Sequence, residues 1–140
     1  MKQVFTGFLM LILTSTGNAQ EVNPERALYN YQVSCQGCHG PSGEGGAGVP
    51  RMQGFLGVFL RTQQGREFLV QVPGSANSAL NDAMLAEVLN WMVEKFGGAS
   101  KPQKFSPFTA LEVAPLRKAP LNEVDRYRAQ VLANIMRKSG

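Results

Sequence analysis

Within the stretch SCQGCHGPSGEGGAGVP, residues 34–50, two cysteines and the only histidine of the chain fall inside five positions: Cys35, Cys38 and His39. Sulfur and imidazole at this spacing permit three chemistries. A zinc site is the weakest, because a structural site needs four ligands and a catalytic site usually three, and the chain has no other Cys or His to complete a closed set. A thiol–disulfide centre uses Cys-x-x-Cys, but beside a βαβ pattern, and no alternating strand pattern is present here. A plain structural disulfide is a further thiol reading. Covalent haem attachment uses Cys-x-x-Cys-His: two sulfurs bond one edge of a porphyrin, and the adjacent imidazole reaches the iron as proximal ligand.

The elements around the cluster favour the haem reading. Residues 37–57 contain eight glycines and two prolines, which rules out a long helix or a good strand. Yet Val49, Met52, Phe55, Leu56, Val58, Phe59 and Leu60 crowd this segment and its end. A glycine-rich loop carrying so many apolar groups must cover something, and a large flat apolar cofactor supplies core that a 140-residue chain lacks.

Upstream, Asn23 as N-cap, Pro24 at the first helical position and Glu25 in the first turn predict a short helix running into the cysteines. The segment GFLGVFLRTQQGRE can hold another short helix, and FLVQVPG reads as extended, ending at Pro73. The strongest helix lies in residues 78–97, capped by Asn81 or Ser78 and stopped by Gly97. Leu85, Val88, Leu89, Met92 and Phe96 form its apolar face, with Trp91 alongside. Pro102 and Pro107 mark a linker. Thr109 with Glu112 forms a capping box for a short helix limited by Pro115. Val124, Tyr127, Val131, Leu132, Ile135 and Met136 lie on one side of a last amphipathic helix, which predicts that it packs back on the domain before it. The fold class is mostly α.

The first residues, MKQVFTGFLMLILTSTGNAQ, have the positive start, short apolar core and small residues of a secretory signal, with cleavage after Ala19. The apolar run is too short to span a bilayer, so no stable membrane span is expected after cleavage. The formal net charge is +4, without a Lys/Arg run interleaved with aromatics, which argues against nucleic acid and for acidic protein surfaces as partners.

With these residues in view, CQGCHGPSGEGGAGVPRMQG followed by a helix containing Trp91 resembles the small monohaem class I c-type cytochromes, over about residues 24–98. The resemblance implies a helical domain wrapping one covalent haem c, with N- and C-terminal helices crossing near Tyr31 and Trp91. Cys35 and Cys38 would carry the haem, and His39 would be the proximal iron ligand. Pro50 and Met52 match positions that pack near that histidine, with the Pro50 carbonyl as acceptor for its ring. The family usually supplies a distal methionine as Met-Pro before the last helix. Val72 stands there instead, before Pro73. Met84 is the main distal candidate, Met52 and Met92 lesser ones, and the others are an open site, a water or Asn77.

The expected organisation is a signal peptide over residues 1–19, a haem domain over 20–98, and a linker with a C-terminal helical extension over 99–140. The expected function is single-electron transfer between periplasmic redox proteins, a dehydrogenase being a possible donor or complex partner, without enzyme activity of its own. The alternative is a gas- or peroxide-binding haem protein with an open distal iron face.

Overall fold

A computed structural model describes residues 22–139, and the expected signal peptide lies outside them. The described chain is helical: α1 (Pro24–Ser34), α2 (Gln36–His39), a 3-10 turn (Leu56–Arg61), α3 (Gln63–Gln71), α4 (Pro73–Ala76), α5 (Asp82–Phe96), α6 (Ala110–Leu116) and α7 (Val124–Ser139). The one β-type pairing among the described residues is an isolated bridge between Gly46 and Val49 in the glycine loop. No helix among the described residues is long and apolar enough to cross a membrane.

The helix starts follow local chemistry. Asn23 accepts from the Arg26 N–H, Asn81 from Met84 and Thr109 from Glu112, so each side chain satisfies a donor that the first helical turn leaves free. Pro115 lies inside α6 rather than ahead of it, and α6 ends one residue later.

One sequence expectation is corrected. FLVQVPG is not extended: Phe68 to Gln71 complete α3, and Pro73 opens α4. Its run of Leu, Val and Phe suits a strand locally, but no neighbouring strand exists among the described residues to pair with it. As a helix it buries Phe68, Leu69 and Val70 against the core. Gly65 permits this packing, because a Cβ there would lie 2.0 Å from the Phe59 carbonyl oxygen.

The core is organised by the crossing of α1 and α5. Ala27 and Tyr31 of α1 are fully buried, as is Val88 of α5. The Tyr31 ring lies 5.3 Å from Trp91 and 5.2 Å from Phe96, which are themselves edge-to-face. Such aromatic pairs contribute roughly 1 kcal/mol each beyond area burial. The Tyr31 hydroxyl donates to the Gly40 carbonyl, tying the crossing to the end of α2.

Residues past 98 pack back on this core, as the amphipathic pattern predicts. Phe108, Val113, Val131 and Ile135 are buried. The Asn90 amide exchanges two hydrogen bonds with the Phe108 backbone, at 2.9 and 2.7 Å. Arg117 donates to the carbonyls of Ala76, Ser78 and Leu80 and to Asp82, fastening the turn between α4 and α5.

A carboxylate also ties the crossing together. Glu87, on α5 and almost fully buried, accepts from the Asn23 N–H at 2.8 Å and from the Arg26 guanidinium at 2.7 Å. The Arg26 hydrogen bond holds its carboxyl below the ordinary value of 4.5. A depressed folded-state value stabilises the fold above about pH 4.5, and this contribution is lost as acid protonates the folded carboxylate. Glu87→Gln should therefore lower stability at neutral pH and flatten its fall below pH 4.5. Chemical denaturation across that pH range checks this, and an unchanged acid limb would count against it.

Candidate functional site

α1 delivers Cys35 directly: the Cys35 N–H donates to the Tyr31 carbonyl as the last helical bond. One short turn, α2, then presents Cys38 and His39, whose N–H groups both donate to the Cys35 carbonyl. The three predicted residues are thus held together by backbone geometry anchored in the α1–α5 crossing.

They open on an apolar cavity of about 550 Å³. Pro50, Met52 and Phe55 continue its wall from the glycine loop. Leu56 and Phe59 come from the 3-10 turn, Phe68, Leu69 and Val72 from α3 and its end, and Leu89 and Met92 from α5. Val124, Asp125 and Arg128 of α7 complete its mouth. The size is that of a site for a substantial small molecule.

The glycine loop is folded tightly onto the His39 end. The Gly45 N–H donates to the His39 carbonyl at 2.9 Å, and the Met52 N–H to the Gly43 carbonyl at 2.8 Å. Gly45 has φ of +73°, and a Cβ there would lie 2.4 Å from the Val49 carbonyl oxygen. Both facts require glycine.

His39 Nδ1 is buried without a hydrogen-bond partner among the described residues. The expected bond to the Pro50 carbonyl is not formed. Burial lowers the His39 pKa, favouring the neutral imidazole that can act as a metal ligand. Cys35 and Cys38 are free thiols. Burial, then the neighbouring Cys38, pushes Cys35 up to about 11. A thiol–disulfide enzyme needs a stabilised thiolate, and this environment does the reverse.

The distal candidates separate. Met52 and Met92 line the cavity, but Met84 does not: it lies in the first turn of α5, 37% exposed. Asn77 is exposed and is not part of the wall either. Arg66, one of two arginines flanking this region in sequence, is committed to Glu112 at 2.8 Å. Of the α7 residues at the mouth, Val124 belongs to the apolar face read from the sequence, whereas Asp125 and Arg128 were not singled out.

Two cytochromes c-552 of Thermus thermophilus are each 34% identical to this chain over 108 residues. The matches take in 64% of this chain, and 82% and 73% of the two relatives. This chain belongs to the class I c-type cytochromes. No family model and no solved structure matches it.

The cofactor of c-type cytochromes is covalent haem. The residues fit it. Two thiols and a half-buried imidazole whose Nδ1 has no partner among the described residues line a cavity whose wall is mainly apolar, with Arg51, Asp125 and Arg128 as its charged groups, as a porphyrin with two carboxylates requires. If the glycine loop is what holds that end in shape, Gly45→Ala should destabilise this cytochrome by about 2 kcal/mol through backbone strain and the clash with Val49. Denaturant unfolding measures this, and a change within about 0.5 kcal/mol, the usual surface range, would contradict it.

Proposed function

We propose that this cytochrome carries single electrons between redox proteins of the periplasm, after export by the signal in residues 1–19. In this reading Cys35 and Cys38 hold one haem c and His39 is its proximal iron ligand. The supporting observation is that Cys35, Cys38 and the half-buried His39, its Nδ1 buried without a hydrogen-bond partner among the described residues, line one mainly apolar cavity. Bound there, the haem supplies a one-electron iron couple.

The chain's own residues then do three things. Cys35 and Cys38 would hold the edge of the ring, and Cys38 is exposed, so a partner could approach on that side. The apolar wall of Leu56, Phe59, Phe68 and Leu89 excludes water. Arg51 and Arg128 line the cavity without a carboxylate partner among the described residues, and would be available to pair with the two carboxylates of a bound porphyrin. Arg128 is held over the rings of Phe55 and Phe59, at 5.5 and 5.8 Å.

The domain reading places residues 20–98 as the haem domain and 99–140 as an extension. The contacts of Arg117, Phe108 and Arg128 support an extension that braces the haem domain and closes its mouth. Partner identity, a dehydrogenase included, rests on the family reading and on the positive net charge.

Expression with a haem-maturation system tests the site. The wild-type protein should retain haem through acid–organic extraction. Cys35→Ala with Cys38→Ala should lose it, and His39→Ala should lose the proximal ligand's spectral signature. A wild-type protein without covalent haem would overturn the proposal.

Arg128→Met keeps the packing stem and removes the charge. An opposite charge within a few ångströms favours the ionised carboxylate by a factor of about ten or more. The variant should therefore shift the inflection of reduction potential against pH to higher pH, and Arg128→Lys should restore it. An unmoved inflection in Arg128→Met would remove Arg128 from this role.

A further inference from the structure

The single histidine of the chain closes α2, a helix of one turn. So short a helix does not hold its shape by itself. The His39 N–H donates to the Cys35 carbonyl at 3.1 Å, and the His39 carbonyl accepts from the Gly45 N–H at 2.9 Å. The next peptide is tied as closely. The Gly40 N–H donates to the Gln36 carbonyl at 2.8 Å, and the Gly40 carbonyl accepts from the Gly43 N–H at 3.3 Å and from the Tyr31 hydroxyl. Every bond but the last joins backbone to backbone. Among the described residues, Tyr31 is the one side chain that hydrogen-bonds to the backbone of residues 35–40.

Tyr31 grips that segment at both ends. Its carbonyl accepts from the Cys35 N–H at 2.9 Å, and its hydroxyl reaches Gly40, so one residue brackets both thiols and the imidazole. The residue is fully buried, and its ring lies against Trp91 and Phe96, which fixes the direction of the phenol. A buried hydroxyl without a partner is costly, so the bond to Gly40 is retained. The same cluster backs the glycine loop: a Cβ on the buried Gly43 would lie 3.0 Å from the Phe96 ring.

We infer that the Tyr31 hydroxyl is a positioning group for His39. By holding the Gly40 carbonyl it fixes the peptide that follows the histidine, and through that peptide the direction in which the imidazole leaves the backbone. The inference rests on the haem reading above and adds to it a residue that neither carries nor ligates the group. The two parts of the Tyr31 side chain then have separate roles. The ring packs the α1–α5 crossing with Trp91 and Phe96. The hydroxyl acts on the ligand through Gly40. Outer contacts that orient an axial histidine are among the means by which a protein tunes haem iron. Removing the hydroxyl while keeping the ring therefore alters the properties of the iron, whereas loosening the crossing elsewhere lowers stability alone.

The test uses the haem-loaded protein, after acid–organic extraction has verified covalent attachment. Failure at that stage sinks the haem reading itself, and this inference with it. With haem attached, Tyr31→Phe should move the paramagnetically shifted proton resonances of the His39 ring and shift the reduction potential, at unchanged haem content. Glu87→Gln loosens the same crossing at its other end. It should lower stability and leave both readouts at their wild-type values. Wild-type resonances and potential in Tyr31→Phe would overturn the inference and leave Tyr31 a packing residue. Equal shifts in Glu87→Gln would overturn it too, because any loosening of the crossing would then produce them. If Tyr31→Phe does not fold, the wild-type protein carries the test. The Tyr31 hydroxyl proton should give a resolved resonance in slow exchange with water. A hydroxyl proton in fast exchange would overturn the inference, since a group that frees itself so readily holds nothing in place.

Discussion

Everything about this site depends on the crossing of α1 and α5. Cys35 is the residue after the last turn of α1, so the direction of that helix sets the direction of both thiols and the imidazole. The direction is fixed at two points about two turns apart. Near the start, Arg26 and the Asn23 N–H converge on Glu87. Near the end, Tyr31 wedges between Trp91 and Phe96. A charged contact at one end and an aromatic cluster at the other prevent rotation as well as sliding, which a single contact could not do. The Tyr31 hydroxyl, bonded to Gly40, carries that constraint past the crossing into the turn that ends with His39.

The C-terminal extension solves a different problem. Residues 24–98 alone, about 75 residues, would bury a limited fraction of their surface, and the cavity takes more of the interior away from side-chain packing. α6 and α7 add Val113, Val131 and Ile135 to the core. The Leu121 N–H bonds the last carbonyl of α3, Gln71, and Arg117 gathers the carbonyls of the α4–α5 turn. These are the segments that would otherwise be least supported, since α4 is a single turn. Residues 99–139 thus brace the part of the cavity wall formed by the end of α3 and by α4.

Much of this was legible in the sequence, for physical reasons that differ by element. Asn23, Asn81 and Thr109 announce helix starts because capping is local, settled within three residues of the cap. Cys35, Cys38 and His39 are legible as a cluster because their spacing alone brings them together. Tyr31 and Trp91 came from the family resemblance, and their ring contact bears it out. The segment at residues 68–73 was misread because its β-branched and aromatic content fits a strand, while the choice was made by tertiary burial. Arg128 could not be found in advance. Only the return path of the chain brings its face of α7 to a mouth formed some seventy residues earlier, and no local pattern encodes that return.

Met84 shows how finely position on a helix decides chemistry. It lies only a dozen residues beyond Val72, in the first turn of α5, where the Asn81 cap takes its backbone N–H. Capping fixes where the helix begins, and with it the rotation of every later side chain. Leu85, Val88, Leu89 and Met92 then face inward, and Met84 is left half turned to solvent. A sulfur at residue 84 is therefore near the cavity in sequence and outside its wall in space. Moving it inward would require recutting the start of α5, and the same rotation would carry Glu87 away from Arg26 and Trp91 away from Tyr31. The crossing that holds Cys35, Cys38 and His39 in place is thus the same constraint that keeps Met84 out of the cavity.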